Sequence, residues 1–165
     1  MTLHTLFGTN VTKPQKVQFK QIKAVYENIR VSEEVSSYFN NGTRYTAPSQ
    51  VYEMFKFLMQ EVKEVFICLH LDGKNRIKCI DLISIGTLNQ SLVCPRSVFQ
   101  TALISNAAAI ICVHQHPTGD PTPSTEDIAI TKRLKEAGEL MNIKILDHII
   151  IGQDEYLSFV ERCLL

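Results

Sequence analysis

The sequence predicts an α/β domain with a mixed central β-sheet flanked by helices, and three observations lead there. Short apolar runs of strand length recur at residues 64–71, 107–113 and 143–151. Between the last two, Ile128, Ile130, Leu134, Ala137 and Met141 fall at roughly helical spacing. Asp72-Gly73-Lys74-Asn75 is a tight-turn signal that joins two strands as an antiparallel hairpin. With 165 residues, 45% of them hydrophobic, the chain suits one domain with a real core, and the lack of tryptophan does not weaken that.

Each element follows in order. Residues 1–47 form an extension in which Val17, Phe19, Ile22, Val25, Ile29 and Val31 are scattered among polar residues with partial alternation, a strand or hairpin pattern. Asn40-Asn41-Gly42-Thr43 ends it as a turn, and the main domain runs over 48–165. Pro48-Ser49 opens a helix expected through residue 62, which leads into the strand 64–71, the turn and a second strand over 76–86. A stretch from Gly86 to Ser91 reads as a turn followed by an exposed segment, and a helix over 95–105 follows. The run Ala107-Ala108-Ala109-Ile110-Ile111-Cys112-Val113 is a buried strand that ends abruptly at His114. Three prolines and a glycine in residues 117–123 forbid regular structure and give a stiff loop. Ser124 caps a helix over 124–141, a strand over 143–151 comes next, and a short last strand is expected over 156–160.

His114-Gln115-His116, seven residues, Ser124, two residues and Asp127 carry the chemistry. Residues two apart on a strand share a face, so His114 and His116 aim their imidazoles at one point beyond the sheet. The stiff loop brings back Asp127, in the first turn of its helix. Two histidines and one carboxylate leave the fourth position of a tetrahedral zinc open for water, the arrangement of catalytic rather than structural zinc. Zinc brings the pKa of such a water from about 15.7 to about 7, and the proton then needs an acceptor. Taken alone, Ser124-Thr125-Glu126-Asp127 is an ordinary helix cap, and a lone His-x-His arises by chance. Their combination across a proline-bounded loop favours a metal site.

These residues resemble the zinc motif of the JAB/MPN metalloprotease superfamily: a glutamate, then His-x-His, seven residues, serine, two residues and aspartate. Residues 116–124, with Leu146-Asp147-His148-Ile149-Ile150-Ile151-Gly152, look like its RadC branch, and the likeness covers roughly residues 48–162. Gln115 stands where such proteins usually have Asn, and Thr118 where they usually have Ser. The resemblance implies a three-layer, cytidine-deaminase-like architecture and one zinc per chain on His114, His116 and Asp127. It also implies an upstream glutamate at the start of an apolar strand, which Glu64 fits. Glu61, on the helix before it, competes, but a charge there belongs to a wet face. Glu64 would take the proton from the water and deliver it to the leaving amine, and Ser124 would help hold the oxyanion. By the same analogy, residues 86–91 would bind an extended substrate peptide beside the zinc. Asp147, His148, His70 and His4 are assigned to packing or to no role at the metal.

Cys68, Cys79, Cys94, Cys112 and Cys163 make an odd number with no Cys-x-x-Cys pair and read as reduced core residues. Strand parity puts Cys112 on the His114 face, where a thiolate near zinc is the minor alternative. This usage, with no signal peptide and no apolar stretch of about 18 residues, suits a cytoplasmic protein with no membrane partner. RadC-like proteins carry a DNA-repair label, and longer members have a helix-hairpin-helix segment that these residues do not contain. The net charge of 0 and pI near 6.9 argue against a large phosphate-binding surface. Residues 1–32 hold Lys13, Lys16, Lys20, Lys23 and Arg30 against Glu27, which reads first as a solvated face and second as a weak nucleic-acid contact. Short members of this kind are often encoded on mobile elements.

The expected activity is therefore hydrolysis of an amide bond in a protein or peptide substrate, as a metallopeptidase or isopeptidase. A zinc nuclease or phosphoesterase is the alternative, although such sites commonly use two metals and more ligands. A non-catalytic module binding DNA or protein is the third. Nothing in the sequence fixes the oligomeric state.

Overall fold

The computed structural model describes residue 26, residues 43–86 and residues 93–165. The extension over 1–47, apart from residue 26 and residues 43–47, lies outside the described residues, as do positions 87–91 of the expected peptide-binding segment.

Five strands form one sheet in the order β2-β1-β3-β4-β5. They are β1 (Val65–Leu71), β2 (Ile77–Ile85), β3 (Ala109–Gln115), β4 (Lys144–Ile151) and β5 (Tyr156–Ser158). β1 runs antiparallel to β2 and β3, β3 and β4 are parallel, and β4 and β5 are antiparallel, so the sheet is mixed. Every residue of β1 and β3 is buried, as their unbroken apolar runs require. One face packs on α1 (Pro48–Phe55) and the 3₁₀ turn Lys56–Gln60, through Val51, Met54, Phe55 and Leu58 against Ile67, Leu69, Ile111 and Ile149. The other packs on α2 (Pro95–Ile104) and α3 (Thr125–Met141), through Val98, Phe99, Ala102 and Leu134 against Cys68, Ile110 and Cys112. Helices on both faces of a mixed sheet are the architecture the sequence predicts.

Three boundaries differ. The last strand, expected over 156–160, ends at Ser158, where the chain turns. The expected helix over 49–62 changes to 3₁₀ winding after Phe55, whose φ of −122° and ψ of 2° break the α-helix. Three residues per turn then put Phe55 and Leu58 on one face, and both are buried. β3 does not stop before His114 but continues through Gln115, because His114 pairs with both Phe66 of β1 and Ile150 of β4. His114 is thus a fully buried sheet residue.

Candidate metal centre

The site sits at the carboxyl end of β3, where the chain leaves the sheet and returns as α3. Ser124 caps that helix with a reciprocal capping box: its Oγ accepts from the Asp127 amide at 3.1 Å, and its own amide donates to Asp127 Oδ2 at 2.7 Å. The Ser124 hydroxyl also donates to Oδ2, at 2.6 Å. The cap fixes the rotamer of Asp127 and turns the rest of its carboxylate toward the strand.

The loop between is held at both ends. The His116 amide donates to Ile151 O (3.2 Å), the Gly119 amide to His116 O (2.9 Å) and the Gln153 amide to Gly119 O (2.8 Å). Gly119 has φ +85°, a conformation in which side chains are strained. Gly152, in the turn after β4, lets the loop lie against it: a Cβ there would stand 2.6 Å from both Gly119 O and Pro121 Cδ.

His114, His116 and Asp127 converge. His114 Nε2 lies 3.1 Å from His116 Nε2 and 3.2 Å from Asp127 Oδ1, and His116 Nε2 lies 3.4 Å from Asp127 Oδ2. Among the described residues this is the one group of three such side chains placed to hold a metal ion. Cys112 is not in it; it pairs across the sheet with Cys68, both fully buried. His70 binds Ser105 Oγ at 2.9 Å on the same sheet, toward the other end of β1. His4 lies outside the described residues. Cys163 is exposed, against the expectation of a core cysteine, because it follows β5 in the final turns of the chain.

A chain of hydrogen bonds settles where the imidazole protons are. The Thr131 hydroxyl donates its single proton to Asp127 O (2.6 Å), so toward His148 Nδ1 at 2.5 Å its oxygen accepts. Burial holds the His148 pKa well below the usual histidine range, so the ring is neutral and its Nε2 is a bare lone pair. His114 Nδ1, 2.8 Å from that lone pair, is therefore the donor. His116 Nδ1 donates to Asp120 O at 2.8 Å. Both ligand candidates thus spend their Nδ1 protons outward and turn Nε2 lone pairs toward each other and toward a carboxylate. Lone pairs this close repel unless a cation lies among them. In keeping with that, Asp127 raises the His116 pKa, with the Asp120 carbonyl and the charge of Glu64 adding. Burial alone would raise Asp127, but the two imidazoles and the Ser124 hydroxyl more than reverse it and hold its carboxyl far below the ordinary range.

His148 is the residue that sequence reasoning left to packing. Thr131 lies four positions after Asp127 on the same helical face and belongs to no motif in the sequence. Phe66 stacks on His114 with ring centres 5.6 Å apart, and Phe159 stacks on His148 at 4.7 Å, so the relay has apolar walls. Asp147 faces away from it: its carboxylate accepts from Ser158 Oγ, Tyr45 Oη and the amides of His148 and Val160, tying the last residues and Tyr45 to β4.

Glu64 is half-buried immediately before β1. Phe66 pairs with His114 as the last rung between β1 and β3, and the charge of Glu64, two residues before Phe66, reaches the His116 ring. Glu61 ends the 3₁₀ turn and is exposed.

A mixed α/β sheet with a His-x-His strand end and an aspartate in the following helix's first turn defines a JAB-type domain. The chain belongs to the RadC-like JAB domain family, whose profile matches residues 45–164. Its relatives include a UPF0758 protein of Pelobacter propionicus, 47% identical over 99% of this chain and 77% of that protein. Another, from Geobacter sulfurreducens, is 46% identical over 99% of this chain and 74% of the relative. One from Geotalea uraniireducens is 59% identical over 75% of this chain but only 55% of its own length.

Proposed function

We propose that the protein is a zinc-dependent hydrolase of amide bonds, a metallopeptidase or isopeptidase whose substrate is a protein or peptide. One observation carries this: the unprotonated Nε2 atoms of His114 and His116 lie 3.1 Å apart, and each faces a different oxygen of the Asp127 carboxylate, at 3.2 and 3.4 Å. Two imidazole nitrogens and a carboxylate are donors that zinc takes, so His114, His116 and Asp127 would hold one ion. Three protein donors leave a fourth position open, and a zinc ion there supplies Lewis acidity that brings a water's pKa toward neutrality.

The chain's own residues do the rest. Glu64 accepts the proton of the attacking water and returns it to the leaving amine, so one carboxylate serves twice. Ser124 steadies Asp127 in the resting site, and its hydroxyl, at the edge of the cluster, is offered to the oxyanion as it forms. His148 keeps His114 in the tautomer that leaves Nε2 free. A single cluster of ligands among the described residues supports amide rather than phosphodiester hydrolysis, which commonly uses two metals.

The test compares wild type with Glu64→Gln on a peptide and isopeptide library and on single-stranded and duplex DNA. Cleavage of an amide substrate that falls about 10²–10⁴-fold in Glu64→Gln, with zinc retained, is the expected result. Metal-dependent cleavage of DNA alone would replace the proposal with a nuclease, and zinc binding with no cleavage would leave a binding module.

A further inference from the structure

We propose that Gln115, which lies between the two histidines, is a positioning residue that holds Glu64 in register with the metal centre. The inference rests on the role proposed above for Glu64.

The last rung between β1 and β3 is Phe66 with His114. Beyond it the chain stays bonded to β4 alone, Gln115 pairing with Ile151 and the His116 amide donating to Ile151 O. The two main-chain groups that flank Glu64 and face β3, Lys63 O and the Val65 amide, would then lose their partners. Gln115 replaces the missing strand. Its Oε1 accepts from the Val65 amide at 2.7 Å and its Nε2 donates to Lys63 O at 2.5 Å, a side-chain amide acting as a peptide group. The donor and acceptor on β1 fix the orientation of the amide, since the reverse would set N–H against N–H and oxygen against oxygen. On the other side, Glu64 O accepts from the Gly86 amide at 2.9 Å. The main chain around half-buried Glu64 is thus gripped from both sides just before β1 begins.

Burial shows that this clamp is a built feature. The Gln115 residue is 0% exposed, whereas Lys63, one of its two partners, belongs to an exposed stretch. Burying an amide is unfavourable unless both its ends are bonded, and here both are. An aliphatic side chain of the same size would fill the space but leave Lys63 O and the Val65 amide unpaired, so the strand end would fray by the width of a hydrogen bond. A shift of about 1 Å in a positioned base is enough to cost a large factor in rate.

Cobalt(II) added to the metal-free chain is the probe, its visible absorption followed from about pH 5 to 9 in wild type, Glu64→Gln, Gln115→Met and Gln115→Glu. Gln115→Met keeps the volume and removes both hydrogen bonds. It is expected to bind one equivalent of cobalt within about threefold of wild-type affinity. Its spectral pH midpoint should move most of the way to that of Glu64→Gln, and the double variant should move no further. Gln115→Glu keeps an acceptor for the Val65 amide and sets an oxygen against Lys63 O, so it falls between. Midpoints in both Gln115 variants equal to wild type, with Glu64→Gln shifted, would overturn the proposal. No cobalt bound by wild type would overturn the metal centre itself, and Glu64→Gln identical to wild type would overturn the base and Gln115's task with it.

Discussion

Thr131 shows how far a metal site reaches beyond its ligands. Its hydroxyl is committed to Asp127 O, which makes its oxygen the acceptor that orients His148, which in turn orients His114. Thr131→Val preserves shape but leaves the buried His148 Nδ1–H without a partner. Such a group costs about 1–3 kcal/mol, and loss of an outer partner typically weakens metal affinity about 10–100-fold. We expect both effects, the first in a thermal or urea melt and the second by competition with a chelator; unchanged zinc affinity would dismiss the relay. The spacing of His114, His116, Ser124 and Asp127 was legible because each position is set by local geometry, two residues on a strand or three across a helix cap. His148 was not, since its role depends on the parallel pairing of β3 with β4, which no local pattern encodes. The readable trace was a histidine at the start of the apolar run 149–151, together with a threonine at i+4 from the aspartate.

Among the elements, the loop of residues 117–123 is only as rigid as the turn it rests on. Gly152→Ala would place a methyl group 2.6 Å from Gly119 O and Pro121 Cδ, so the loop must lift and take the Asp120 carbonyl away from His116 Nδ1. Weaker zinc binding by about tenfold or more, with the rest of the fold intact by circular dichroism, is the expected outcome. The hairpin offers a pH test. Backbone and side-chain hydrogen bonds from Arg76, with the Lys74 amide, hold the Asp72 pKa down to about 2. A carboxylate whose folded pKa lies below its unfolded value, about 3.9, stabilises the fold above the latter and loses that contribution as pH falls through the former. Asp72→Asn should therefore flatten the fall in melting temperature between about pH 4 and pH 2 while lowering stability at pH 7. A wild-type slope in the variant would contradict this. The turn itself was plain in the sequence, as Asp72 and Gly73 announce it. The change to 3₁₀ winding after Phe55 was not, because it follows from which side chains the sheet accepts rather than from the helical pattern of residues 48–62.

For the molecule as a whole, three layers put a fully buried strand under the site, so the histidines are presented by the most constrained part of the core. A mixed sheet flanked by helices followed from apolar runs and turns and the three layers from the family resemblance, and the match over residues 45–164 agrees with both. Among the described residues no helix is long and apolar enough to cross a membrane. Strand order was beyond reach of the sequence, since β1 separates β2 from β3 and so sets the strand that follows Glu64 beside the strand that carries His114. The whole account rests on a cation among three lone pairs. Metal content of the purified chain, read by elemental analysis after dialysis with equimolar zinc, tests that most directly. One zinc per chain in wild type and in Glu64→Gln, with none retained in His114→Ala or Asp127→Ala, is the result expected. Zinc retained undiminished in both ligand variants, or absent from wild type, would contradict it.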